Sequence, residues 1–265
     1  MKIARYRVDR KTAYGVVEGD EVVEIRGSAF ARFRKTHLRT PLEGVRLLPF
    51  SDAPQIWCPG DNFPGPRAQR RGRSTHNRDD ESYHPEPWQK ATNALTGPGD
   101  PIIIPKDSSG DVHFEGSAVA VIGRTCRRVS PAQAQKFILG YTCGNDVSDR
   151  TWERHDRSLW RAKGSDSFAP VGPWVETGIE PQEIEIFVRV NGKRAQHIKA
   201  GDMGFSFAEI VSYISQQVTL RPGDLVFSGT AGGTSVLHPG DVVEVEIPGV
   251  GILSNPVVAE FDSSK

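Results

Sequence analysis

The chain has 265 residues, 33 basic and 33 acidic, and so no formal net charge at neutral pH. That length supports one or two domains with a sizeable core, and balanced charge excludes nucleic acid as the obvious main partner. With 25% charged and 37% hydrophobic residues, the composition is that of a globular protein and not of a disordered or membrane chain. The longest apolar runs, such as 118–123, fall far short of the roughly 20 residues of a spanning helix. No long apolar stretch follows Met1, so no leader is expected. Cys58, Cys126 and Cys143 are odd in number and widely spaced, which suits a reducing compartment. A soluble cytoplasmic protein is expected.

Residues 3–25 alternate as strands do around a turn at Glu18-Gly19-Asp20, predicting a small antiparallel meander. Residues 26–56 give weak signals. Residues 1–55 are expected to form a small N-terminal β domain and 56–265 the main domain. The segment 58–66 is turn chemistry, and the following residues to 84 are almost wholly polar, with five arginines from Arg67 to Arg78. A polar stretch of this length inside a compact domain reads as a lid over a site, or else as a surface insertion. The lid is placed at about residues 64–86.

Strand texture returns at 102–105, after the turn Gly97-Pro98-Gly99-Asp100. Residues 112–122 predict one strand with His113, Glu115 and Ser117 on the same face, because side chains alternate with period two. Ser130 and Pro131 suit the cap and first turn of a helix. Residues 183–190 and 193–198, joined by Asn191-Gly192, predict a hairpin with a type I′ turn. A helix over 207–218, capped by Ser206, is followed by strands at 225–227 and 242–247 and a turn into an edge strand at 249–256. The class is mainly β with a few helices (α+β).

Three places combine polar residues with strand ends. Glu115 lies in an apolar run, where an ionised carboxylate is costly unless compensated. Asp146 follows a bend of small residues, and Ser228-Gly229-Thr230 opens a glycine-rich turn whose N–H groups can hold an anion. Singly, each has a bland reading: a strand-edge carboxylate, a turn former and ordinary turn glycines. No phosphate loop, dinucleotide fingerprint, nucleophile elbow or paired-histidine zinc motif occurs.

Taken in order, Gly97-Pro98-Gly99-Asp100, Val112-His113-Phe114-Glu115-Gly116, Gly140-Tyr141-Thr142 with Asn145-Asp146-Val147-Ser148, Ala162-Lys163, Arg221-Pro222-Gly223-Asp224, Ser228-Gly229-Thr230 and Pro239-Gly240-Asp241 resemble the fumarylacetoacetate hydrolase family. The resemblance covers residues 85–260. It implies a mixed β-roll or sandwich catalytic domain behind a small N-terminal β domain, a homodimer, and a small anionic substrate. Such enzymes hydrolyse, isomerise, decarboxylate or dehydrate 2-oxo acids and 1,3-dicarbonyl compounds, usually with Mg²⁺ or Mn²⁺, a hard cation that takes oxygen ligands.

The resemblance also implies roles. Glu115, Ser117 and Asp146 fall on the metal positions, with Asp61 as a further candidate, but Ser117 stands where a carboxylate is expected. Lys163 falls on a catalytic lysine; Lys90 and Thr230 fall on substrate-binding positions. Pro66 and Gln69 occupy the positions of a water-activating His–Glu pair, leaving His76, Glu81 or His84 as substitutes. Arg70 and Arg71 would suit an anionic substrate, since guanidinium binds carboxylate as a fork. Three readings stay open at this stage: metal-assisted C–C hydrolysis, a non-hydrolytic isomerase, dehydratase, decarboxylase or cyclase with weak or no metal, and a binding homologue without turnover.

Overall fold

Strands make most of the regular structure in the computed structural model, which describes residues 1–52, 55–64 and 84–261. The N-terminal stretch forms β1 (Lys2–Val8), β2 (Lys11–Glu18), β3 (Glu21–Gly27), β4 (Phe33–Pro41) and β5 (Arg46–Leu48). Then come β6 (Ile56–Pro59), β7 (Pro87–Lys90), β8 (Leu95–Thr96), β9 (Ile102–Ile104), β10 (Val112–His113) and β11 (Gly116–Ile122). The rest are β12 (Ile138–Asn145), β13 (Ser148–Asp149), β14 (Ala169–Glu176), β15 (Glu185–Val190), β16 (Lys193–Lys199), β17 (Leu225–Phe227), β18 (Val242–Ile247) and β19 (Gly251–Ala259).

One sheet follows the order β4-β3-β2-β1-β14-β12-β11-β17-β6-β7, with β5 added to β1 and β8 to β14. A second has the order β16-β15-β18-β19-β9. Side chains from both meet in one core, where Val119 and Phe227 of the first join Val188, Val245 and Leu253 of the second. The helix Phe207–Gln217 adds Phe207, Ile210 and Val211 to it.

Local chemistry explains the elements that the sequence announces. Asn191 and Gly192 both take positive φ, 52° and 74°, as the tight turn between β15 and β16 requires. Ser206 caps its helix by accepting from the Glu209 N–H while the Glu209 carboxylate accepts from Ser206 N–H, a reciprocal capping box.

Elsewhere the structure differs from expectation. β4 occupies a region that gave only weak signals; it is an edge strand with most residues exposed, so no apolar alternation marks it. The strand expected at 112–122 is broken at Phe114 and Glu115 because the Glu115 N–H donates to the Asn145 side chain at 2.8 Å instead of to a strand. The closing strand is not an edge: β19 pairs with β18 on one side and β9 on the other. The strands of the N-terminal meander are part of the large sheet. Ile3 of β1 pairs with Val175 of β14, and Ile3, Val16 and Ile25 belong to the common core. The expected lid lies outside the described residues except for Pro64, His84, Pro85 and Glu86.

Close packing between β12 and β14 rests on Gly140, where a Cβ would stand 2.3 Å from the Glu176 carbonyl oxygen. Backbone cannot yield as a flexible side chain can, and overpacking of this kind costs about 1–3 kcal/mol. Gly140→Ala should therefore lower Tm by at least about 3 °C, whereas Gly44→Ala, where a Cβ would meet only Thr40 Cγ2 at 3.8 Å, should lower it less; thermal melts of both decide this.

Candidate active site

The site begins where antiparallel strands end together. β11 starts at Gly116 opposite Asn145, the last residue of β12, and Asp146 N–H donates to the Glu115 carbonyl at 2.9 Å. This clamp sets the Glu115 and Asp146 carboxylates side by side. β17 ends at the same level, since Phe227 pairs with Val119, and delivers Thr230 beyond it. Two short helices complete the site. Arg150 opens the helix Arg150–His155, capped by Asp149 through the Trp152 N–H at 3.0 Å, and Lys163 lies in the helix Trp160–Gly164.

These side chains form a buried ladder of alternating charge. Lys90 Nζ is 2.7 Å from Asp146 Oδ1, and Asp146 Oδ2 is 3.2 Å from Lys163 Nζ. Lys163 Nζ lies 2.6 Å from Glu115 Oε2, whose other oxygen is 2.5 Å from Arg150 Nη2. Arg150 ends the ladder at Glu153, 2.7 Å away. Burial alone would push the Glu115 carboxyl up, but Lys163 and Arg150 outweigh it and hold it down to about 2. Burial likewise disfavours the Lys163 ammonium; the charges of Asp146 and then Glu115 override it and raise its pKa above the ordinary value. Lys90 goes the other way, because burial exceeds the pull of Asp146 and lowers it.

Above the ladder opens a cavity of about 940 Å³. Glu115, Asp146, Arg150, Lys163 and Thr230 line it. Gln196 steers the Thr230 loop: its amide nitrogen donates to the Ala231 carbonyl at 2.8 Å, and its oxygen accepts from Gly116 N–H at 3.2 Å. Asn62 fastens the root of the expected lid, donating to the carbonyls of Ser228 and Phe205 at 2.8 and 3.1 Å.

Two expected site residues are not among those that line the cavity. Lys90 was expected to touch substrate, yet it is 3% exposed and its ammonium donates to the carbonyls of Val147, Lys163 and Phe168 as well as facing Asp146. It supports the floor, since its ammonium reaches Asp146 and Val147 just past the end of β12. Ser117 is fully buried, and its hydroxyl is directed at the Gly229 and Glu115 carbonyls at 3.1 and 3.3 Å. His76, Glu81, Arg70 and Arg71 lie outside the described residues; His84 and Asp61 line the cavity. Arg150 and Glu153 were missed. The only local sign was a helix start, with Asp149 as cap three residues after Asp146.

Residues 55–258 match the family model described as fumarylacetoacetate hydrolase C-terminal, and residues 1–49 match that described as Rv2993c-like, N-terminal. The chain belongs to the fumarylacetoacetate hydrolase family. It is an enzyme of that family, similar along nearly its whole length to several relatives. Protein Rv2993c of Mycobacterium tuberculosis is 38% identical, over 97% of this chain and 98% of its own length. The 5-carboxymethyl-2-hydroxymuconate delta-isomerase structure from Mycobacterium smegmatis is 35% identical with a TM-score of 0.88, over 98% of this chain and all of that one. The 2-hydroxyhepta-2,4-diene-1,7-dioate isomerase structure from Mycobacterium marinum is 37% identical with a TM-score of 0.89, over 99% and 100%.

A divalent cation does not fit the donor set of this fumarylacetoacetate hydrolase homologue. Ser117 offers a neutral hydroxyl committed to backbone carbonyls, and both carboxylates are already matched by internal cations. Among the described residues no three carboxylate, histidine or cysteine groups converge. No helix among them is long and apolar enough to cross a membrane.

Two outcomes follow. Ser117→Glu should raise Mg²⁺ affinity at least tenfold, since an anionic oxygen suits a hard cation; calorimetry showing equal or tighter binding by the parent would refute it. The second concerns acid. Glu115 titrates lower folded than unfolded (unfolded value about 4.3), so its stabilisation is present above that value and is lost as pH falls towards about 2. Thermal melts from pH 5 to pH 2 should therefore fall more steeply for the parent than for Glu115→Gln.

Proposed function

We propose that this enzyme acts on a 2-oxo acid or 1,3-dicarbonyl compound through an enolate. The observation that carries the reading is the pair of cations, Lys163 and Arg150, presented by buried carboxylates to the floor of a concave cavity. Removing a proton or a carbon substituent next to a carbonyl places negative charge on oxygen. Fixed cations in a site screened from water stabilise such charge without reorganising as it develops. Thr230 and the N–H groups of the glycine-rich loop 229–233 would receive the substrate carboxylate.

Lys163 is held by Glu115 and Asp146 at 2.6 and 3.2 Å, so its ammonium is oriented before substrate arrives. Arg150 divides its guanidinium between Glu115 and Glu153. Lys90 fixes Asp146 and does not meet substrate. In C–C hydrolysis this field would stabilise the departing enolate; in isomerisation it would stabilise the dienolate between two protonation sites. The second outcome is favoured by the names of the two isomerase structures that match the full chain. Assembly as a homodimer and a reducing cytoplasm belong to the same proposal, the latter because Cys58, Cys126 and Cys143 are all free and buried.

Deuterium exchange at the carbon beside the carbonyl, followed by NMR over a panel of 2-oxo acids and acylpyruvates, reads enolisation whatever bond later breaks. The parent should catalyse exchange with at least one member, and Arg150→Met and Lys163→Met should each reduce it more than 100-fold. Absence of exchange and turnover across the panel would refute the proposal. Lys163→Met should also lower Tm, because removing one partner of a buried ion pair costs about 3–5 kcal/mol.

A further inference from the structure

The cavity is larger than an oxo-acid head requires, and its wall changes character with height. About 940 Å³ is at the upper end of the roughly 300–1,000 Å³ of pockets that take drug-sized ligands, whereas the charged floor accounts for a few substrate atoms. Immediately over that floor lies an aromatic face: the Trp88 ring is 5.4 Å from Lys163 Nζ and 5.8 Å from Lys90 Nζ. Pro87 and Leu159 continue the apolar wall beside it.

Further out, His84 and Tyr213 stack on one another with ring centroids 5.3 Å apart and planes within 10°. Tyr213 Oη and His84 Nδ1 are 3.1 Å apart, which holds the pair as a single shelf. Tyr213 is 39% exposed, a large aromatic side chain that among the described residues has His84 stacked on it. The same two residues also line a second cavity of about 470 Å³, so the shelf lies between two hollows and is approachable from both.

Resting on the proposed enolate chemistry, we infer that the substrate is an acid with a planar apolar tail, an aryl or conjugated acyl group, that lies against Trp88 and extends over the Tyr213–His84 shelf. Aromatic faces reward a flat partner beyond simple area burial, through offset or edge-on ring contacts. The carboxylate and carbonyl end would occupy the cationic floor, and the tail would exclude water from it. A short acid would leave Trp88 and the shelf wet and gain only the head-group contacts.

The test compares acetopyruvate with benzoylpyruvate, which share the head and differ in the tail, as kcat/KM where turned over and as Kd where not. The parent should favour benzoylpyruvate at least tenfold. Trp88→Ala and Tyr213→Ala should each reduce that ratio at least threefold, and Trp88→Phe should retain most of it; Tyr213 is at the surface, so its variant tests the idea should Trp88→Ala fail to fold. A parent ratio near one, or a ratio unmoved in both alanine variants, overturns the tail while the enolate chemistry stands on acetopyruvate. If neither acid is bound or turned over, the tail proposal falls, and the exchange panel separately decides the enolate chemistry.

Discussion

Six charged side chains in one alternating row, from Lys90 through Asp146, Lys163, Glu115 and Arg150 to Glu153, are the constraint on which the catalytic end of this molecule depends. Lys90, Asp146, Lys163 and Glu115 are buried, so each needs its neighbour, while Arg150 and Glu153 are half-buried at the cavity end of the row. The row recruits β7, the break before β11, the end of β12 and two short helices. Those elements meet at this point because their charges cannot be separated at acceptable cost.

Such a row is a poor way to stabilise a protein. Desolvation consumes much of the attraction between buried ions, and apolar replacements of similar volume are commonly as stable. Its value lies in direction. Lys163 and Arg150 are held at fixed positions with their charge facing a cavity, and the internal carboxylates keep them there when no ligand is bound. Ser117 belongs to the same economy of charge: a carboxylate there would add a fourth anion to three cations, a surplus suited to a metal ion, and the serine instead ties the Gly229 carbonyl to the start of β11.

What could be read from the sequence was what local chemistry decides. Asn191-Gly192 and the Ser206 cap mark their elements locally, and both appear as expected. The family motifs located Glu115, Asp146, Lys163 and Thr230, which the fold brings to one cavity. What was not legible is decided across the fold. The break at Glu115 is caused by the Asn145 side chain, thirty positions on. The motifs set Lys90 among the substrate-binding positions, and only its contacts with the Val147, Lys163 and Phe168 carbonyls and with Asp146 mark it as a buried support. Arg150 carries no motif of its own reading; its importance comes from meeting a carboxylate 35 positions earlier.

The junction of β1 with β14 has a consequence for how the molecule comes apart. The two family models divide the chain near residue 50, which is a boundary of ancestry. The hydrogen bonds from Lys2 and Ile3 to Glu176 and Val175 cross that boundary, and so does the core. Peeling the first strands away would bare the flank of β14, a row of unpaired backbone groups open to a foreign strand. The amino-terminal meander thus acts as a sheath for the catalytic sheet, its own strands occupying the flank of β14.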